Sequence, residues 1–499
     1  MPKQHKFLTP LTILMCIIVL AAGSTWIIPA GKYNTLSYKD GHFIIETPDS
    51  AIVVPFTKAV TDSLHIQIPL KAFEDGEISK PISIPDSYHR LKKNQQGIIS
   101  ILKAPIKGIY ETIDIILFVL LLGGFINIFY ASGAIEKGIA RLCYKMKGKE
   151  TWLIISLSFI FIAGGTTYGM DAEAMAFYPI LVPVFLAAGY DLIVPLGVIF
   201  LGTQMGQLSS ISNPFSTVIA SNIIGINWIN GITERIIICI ITSIISIFYL
   251  VRYAQKVKKN PQRSILYRVD GDVHSPYPVQ AIELNDKRLD IRTKFLLLLF
   301  ALTFIIMITG VIFFGWWLEE MSAVFIGASI IFGIYLRLPE SIFIEKFVTG
   351  AGSLLGVSLI IGVARGVTIV MNEGHISDSL LYYSSLFVGN MPPALFIVML
   401  MTLYIVFTIF IASTSGMAVV TMPILGALAL MLGIPGNDTV NAYLFGLGIM
   451  NLISPTGLLL PSLALVNVSY KSWLKFISPL LIYLFIICAI FLVISVMFF

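Results

Sequence analysis

Charge is what this chain has least of. Lys, Arg, Asp and Glu make up 12% of its 499 residues, about half the share of an ordinary soluble domain. Hydrophobic residues make up 57%, and too little polar side chain remains to cover soluble domains of that length. An integral membrane protein is the class left. Cysteine is equally scarce. Cys16, Cys143, Cys239 and Cys488 lie far apart with no CxxC pair, so neither a disulfide framework nor a zinc site is indicated. The six histidines form no HxxxH or HExxH spacing, so no metal or resident cofactor is expected. GxGD and GxSxG are absent too, and Ser415-Gly416 has no histidine partner in sequence; the chain does not read as an enzyme.

What is present is a series of long apolar runs. A membrane span needs about 20 apolar residues. Residues 8–31, 295–318 and 476–499 carry no charge and qualify, and shorter runs at 115–132, 236–251, 321–336 and 348–364 follow. Four further regions do not read as simple spans. Residues 192–233 are uncharged but interrupted by Ser209, Ser210, Ser212, Asn213 and Pro214; residues 439–470 are interrupted by Asn451, Ser454, Pro455, Thr456 and Gly457. Proline removes a backbone donor and Ser, Thr and Asn favour local turns, so both predict helices broken in mid-membrane (192–223 and 439–468). Residues 379–437 are uncharged for 59 residues, which as one helix would be about 90 Å long. The segment must fold back, with Ser413-Thr414-Ser415-Gly416 as its tip, giving a re-entrant hairpin over 392–433. Residues 151–190 have the same form around Gly164–Gly169, with two acids just beyond the tip.

Positive charge sets the orientation. Arg252–Lys294 holds ten Lys/Arg against five Asp/Glu, an excess equal to the chain's net charge of +5. That segment and basic Glu136–Glu150 are expected in the cytoplasm, so the net charge marks a membrane face and not a nucleic-acid partner. Residues 32–93, balanced at eight basic and eight acidic, read as an outer solvated loop with a small hairpin at Asp40-Gly41. The N-terminus then lies inside and the C-terminus outside a bacterial cytoplasmic membrane. The chain divides into a first span and outer loop (1–110), a first repeat (111–251), a cytoplasmic linker (252–294), scaffold helices (295–347), a second repeat (348–470) and a last span (471–499).

The halves repeat. Thr167, Gly169, Met170, Pro179-Ile180-Leu181 and Gly189 parallel Thr414, Gly416, Met417, Pro423-Ile424-Leu425 and Gly433. Gly133-Ala134-Ile135 parallels Gly374-His375-Ile376 upstream, and Asn213-Pro214 parallels Ser454-Pro455 downstream. Each half reads span, hairpin, broken helix, with the hairpins entering from opposite sides. Inverted repeats with paired broken helices point to a secondary transporter whose site lies at the repeat interface. A channel would need no such paired hairpins.

These residues also resemble a known family, the DcuC-like anaerobic C4-dicarboxylate carriers, especially the YfcC-like branch. The resemblance runs over nearly the whole chain and rests on Trp26-Ile-Ile-Pro-Ala-Gly-Lys32, Gly164-Gly-Thr-Thr-Tyr-Gly-Met170, Asn213-Pro-Phe215, Ala364-Arg-Gly366, Ser413-Thr-Ser-Gly416 with Met422-Pro-Ile424, and Ser454-Pro-Thr456. It implies an all-α, inverted-repeat, elevator-type transporter, commonly a homodimer, that carries basic amino acids in its branch and dicarboxylates in the wider family. Branch members often carry two adjacent acids after the first tip; here Ala172 separates Asp171 from Glu173.

The charges left at depth locate the candidate site. A carboxylate there costs about 2.5–3.5 kcal/mol on insertion scales, so Asp171 and Glu173 need a partner or a wet cavity. They suit a cationic group, a coupling ion or a proton. Arg365 suits a carboxylate, or pairs internally with Asp171 or Glu173, or snorkels. Glu111 and Asp114 precede a span and read as interfacial. Around the breaks and tips, Thr166, Thr167, Gly169, Ser212, Asn213, Pro214, Ser413, Thr414, Ser415, Gly416, Asn451, Ser454, Pro455 and Thr456 complete the set. Helix N-termini there suit an anion. Oxygens of Ser212, Asn213, Ser454 and Thr456 suit Na⁺, with H⁺ the other candidate coupling ion. Both signs of charge at one site favour a zwitterion or a basic amino acid over a plain dicarboxylate, and the resemblance to the YfcC-like branch implies an antiporter of the arginine–ornithine type.

Overall fold

The computed structural model describes residues 10–498 apart from 48–49, 67, 75–80, 135–136, 139–140, 142–148, 168, 270–288, 315, 317, 389–390 and 412. Cys143, Ile135, Tyr168 and much of the two basic segments lie outside the described residues. The protein is helical. Eight helices among the described residues are long and apolar enough to cross a membrane, from Pro10–Ile27 (α1) to the C-terminal helix.

Residues 32–93 correct the expectation of a solvated loop. Six strands follow α1: β1 (Gly31–Lys32), β2 (Thr35–Lys39), β3 (His42–Glu46), β4 (Ala51–Pro55), β5 (Ile82–Ser83) and β6 (His89–Arg90). Four form an antiparallel sheet in the order β4-β3-β2-β5, and β1 pairs with β6. The tight turn at Asp40-Gly41, both residues at positive φ, sets the register Lys39 opposite His42, as a two-residue hairpin with Gly second requires. Alternation carries Leu36 and Phe43 inward, where they bury with Ile82 and Phe73. That apolar face makes it a folded β-domain.

Next come α2 (Ile98–Glu111) and α3 (Ile113–Tyr130), broken at Thr112. Much later, α11 and α12 repeat the arrangement. Between them run α4 (Glu150–Thr167), a 3₁₀ turn (Ala172–Phe177), α5 (Tyr178–Ala187), α6 (Gly202–Ser209), α7 (Ile219–Ile223), α8 (Ile232–Lys259), α9 (Ile291–Phe314) and α10 (Leu318–Tyr335). The later pair is α11 (Glu340–Ser353) and α12 (Leu355–Glu373), broken at Leu354. α2 packs along α12, and α3 along α11. Glycine permits the approach: a Cβ on Gly108 would lie 2.0 Å from the Gly362 carbonyl oxygen, and one on Gly123 2.6 Å from that of Gly350. In lipid, such small-residue contacts are a main source of helix association.

The chain then runs through α13 (Ser377–Val388), α14 (Pro393–Phe410), α15 (Thr414–Thr421), α16 (Ala427–Met431), α17 (Gly436–Asn451), α18 (Leu459–Val466) and α19 (Tyr470–Phe498). α4 packs on α6 and α14 packs on α17, corresponding pairs in the two halves. π-helical turns begin at Pro214 and near Pro423, where proline withholds an α-helical donor.

The segment 150–190 starts and finishes at one place. Glu150 at its head ion-pairs with Lys258 (2.8 Å), and the same ammonium lies 5.2 Å from the ring centre of Tyr190 at its tail. The tail of segment 393–434 lies near the other end of α8, where a Cβ on Gly231 would sit 2.8 Å from Asn437 Cβ, and Leu430 and Ala427 share a small cavity with His65, Ile66 and Ile68 of the β-domain.

Candidate functional site

Both tips meet the helix breaks. The first is bound to the break after α6: the Thr166 carbonyl accepts from the Ser212 amide (3.1 Å), the Thr166 hydroxyl accepts from the Ile211 amide (3.0 Å), and Ser212 Oγ donates to the Thr167 carbonyl (3.2 Å). Gly169 has φ +79°, and a Cβ on it would sit 2.6 Å from Asn213 Nδ2; conformation and space both demand glycine there. Asn213 caps the following turn through the Phe215 amide (2.9 Å). The second tip is tied by Thr456, whose hydroxyl donates to the Ile409 carbonyl (3.0 Å) and lies 2.8 Å from Ser454 Oγ. Ser413 caps α15, its hydroxyl accepting from the Gly416 amide (3.1 Å).

Between the tips and the crossed helices lies a cavity of about 420 Å³. Of the residues expected from sequence, Gly169, Asp171, Glu173, Asn213, Arg365, Ser413, Thr414, Ser415, Asn451 and Thr456 line it. Thr166, Thr167, Ser212, Pro214, Gly416, Ser454 and Pro455 are not in its wall, and the bonds above give most of them a locking role. The Asp171 carboxylate accepts from Gln204 Nε2 (3.2 Å). Buried Glu173 turns back, its carboxylate accepting from the Asp171 amide (2.9 Å).

Glu111 and Asp114, read from sequence as interfacial, both line the cavity. One expectation is corrected. Arg365 pairs with neither Asp171 nor Glu173, because α2 rather than the first tip runs beside α12: its Nε donates to the Glu111 carboxylate at 2.7 Å. Asp114, in the first turn of α3, sits where a helix dipole favours an anion. Missed were Gln204 and Gln207 on α6, which both reach the cavity; Gln207 Nε2 donates to the Met170 carbonyl (3.1 Å). Two amides three residues apart share a helix face, and that signal stood inside an uncharged apolar stretch.

A polytopic helical fold with a charged cavity between two helix-break units is the build of a membrane transporter. The chain belongs to the C4-dicarboxylate anaerobic carrier family (DcuC), whose family model matches residues 8–497. It is 39% identical to an uncharacterised protein of Haemophilus influenzae, over 99% of this chain and 98% of that protein. It is 27% identical to YfcC of Escherichia coli strain K12, provisionally named a basic amino acid antiporter, over 96% of this chain and 94% of that one. Among solved structures, the YdaH transporter of Alcanivorax borkumensis aligns with a TM-score of 0.38 and 13% identity, covering 97% of each chain. MtrF of Neisseria gonorrhoeae aligns at 0.39 and 14%, covering 99% of this chain and 96% of that one.

Proposed function

We propose that the protein exchanges basic amino acids, of the arginine–ornithine type, across the bacterial cytoplasmic membrane by alternating access. One observation carries this reading: the cavity wall holds the carboxylates of Glu111, Asp114, Asp171 and Glu173 against the single guanidinium of Arg365, which Glu111 already engages. Net negative charge lining a cavity selects a cation. Asp171 takes the substrate's cationic group, and Ser413, Thr414 and Ser415 at the start of α15 offer its carboxylate hydroxyls and a helix N-terminus. The name borne by the YfcC relative supports the same class.

The movement follows the hairpin reading. Segment 150–190 with both ends at Lys258, near one end of α8, and the tail of segment 393–434 near the other end, support two re-entrant hairpins of inverted topology. They would move with the broken helices against the crossed helices α2, α3, α11 and α12, in an elevator-type cycle. The homodimer, the inside N-terminus and the outside C-terminus belong to this reading. A coupling proton would sit on Asp171 or Glu173, and Na⁺ on oxygens of Ser212, Asn213, Ser454 and Thr456. Transport of a C4-dicarboxylate is the second reading, favoured by the family's description. Purified protein in liposomes loaded with ornithine should take up labelled arginine. Uptake of labelled succinate with none of arginine would reject the basic amino acid in favour of the dicarboxylate. A flux indifferent to counter-substrate, Na⁺ gradient and proton gradient would reject coupled transport.

A further inference from the structure

Resting on that reading, we propose that Glu111 sets the sign of the substrate by masking Arg365. The masking pair is built into the helix crossing. Glu111 is the last residue of α2, and Thr112 closes the turn by donating its hydroxyl to the Gly108 carbonyl (2.8 Å). Gly108, Gly362 and Gly366 bring α2 and α12 into backbone contact, which sets Glu111 beside Arg365. The bond is single: Glu111 takes Nε, and the two terminal nitrogens of Arg365 have no hydrogen-bond partner among the described residues. Both side chains remain in part accessible, 48% for Glu111 and 30% for Arg365, and both line the cavity. A guanidinium on a cavity wall with nitrogens left to donate is suited to a carboxylate. Here an internal carboxylate cancels its charge, leaving Asp114, Asp171 and Glu173 to dominate. The same cavity without Glu111 carries an uncompensated guanidinium suited to a dicarboxylate.

The test is a double-mutant cycle in liposomes, with binding of arginine and of succinate measured for wild type, Glu111→Gln, Arg365→Gln and the double variant. Glu111→Gln should lower the arginine-to-succinate affinity ratio at least about 10-fold, the scale of one charge-assisted carboxylate contact. Adding Arg365→Gln should return the ratio towards the wild-type value, because the mask then has nothing to cover. A Glu111→Gln protein that weakens both substrates equally, or loses thermal stability with its ratio unchanged, overturns the proposal in favour of a purely structural pair. A ratio that does not recover in the double variant overturns it also. A wild type that binds succinate and not arginine sinks the basic-amino-acid reading alone; unmasking should still tighten succinate, and that arm decides the mask separately.

Discussion

A carboxylate at the C-terminal end of a helix meets the negative pole of the helix dipole and is unfavourable there unless a cation answers it. Glu111 closes α2 and Glu373 closes α12, and each is answered from the other helix: Arg365 reaches Glu111, and Lys107 bonds Glu373. The two pairs differ in purpose. Lys107–Glu373 is solvent-facing, so Lys107→Gln should change stability by less than about 1 kcal/mol, read as an unmoved melting temperature in detergent. Asp171 is different because it lines the cavity, where the proposed substrate would set its cationic group against the carboxylate. Asp171→Asn should raise the Kd for arginine about 10- to 100-fold, the worth of a charge-assisted hydrogen bond; an unchanged Kd by calorimetry would place the cation elsewhere. Scarcity of charge made Asp171, Glu173 and Arg365 legible in the sequence. The partner of Arg365 was not legible, because pairing with Glu111 depends on how two distant helices cross. Gln204 escaped because an amide carries no charge to count, though its spacing from Gln207 was visible.

At the scale of helices, the breaks were legible wherever proline or a Ser/Thr/Asn cluster interrupted an apolar run, as at Asn213-Pro214 and Ser454-Pro455. The breaks at Thr112 and Leu354 carry no such punctuation, and α2, with Lys103 and Lys107 on it, does not read as a span. Its place is fixed by glycine contacts that only tertiary structure reveals. Those contacts are testable. Gly108→Val would push a side chain into the Gly362 carbonyl and should cost at least about 1–3 kcal/mol of stability, seen as a lower apparent melting temperature and weaker transport. Gly352→Ala is the control, since a Cβ there meets nothing within 4 Å, and it should leave melting unchanged. Equal behaviour of the two variants would show that the α2–α12 crossing is not held by close packing.

Across the whole molecule, the β-domain touches two parts by different physics. Directional polar bonds hold it to α13 and its preceding turn: the Tyr33 amide donates to Asp378 (3.0 Å), Tyr88 and Ser379 share a hydroxyl bond (3.0 Å), and Arg90 donates to Tyr383 (3.0 Å). The Gly31 amide adds a bond to the His375 carbonyl (2.9 Å). Against the second helix-break segment its contact is mainly apolar, with Ile66 and Ile68 facing Met422, Pro423, Ala427 and Leu430. Hydrogen bonds fix a geometry, whereas apolar contact is non-directional and tolerates sliding. If transport moves the second helix-break segment past a stationary β-domain, joining the two must stop it. Only four native cysteines need replacing to obtain a cysteine-free background. In that background, Ile68→Cys with Leu430→Cys, cross-linked by a short bifunctional thiol reagent that reduction cleaves, should abolish the proposed arginine–ornithine exchange, and dithiothreitol should restore it. Each single-cysteine variant, treated identically, should transport throughout. Full exchange by the cross-linked protein would mean that the β-domain and the second helix-break segment travel together, and the moving boundary would then have to lie between the β-domain and α13.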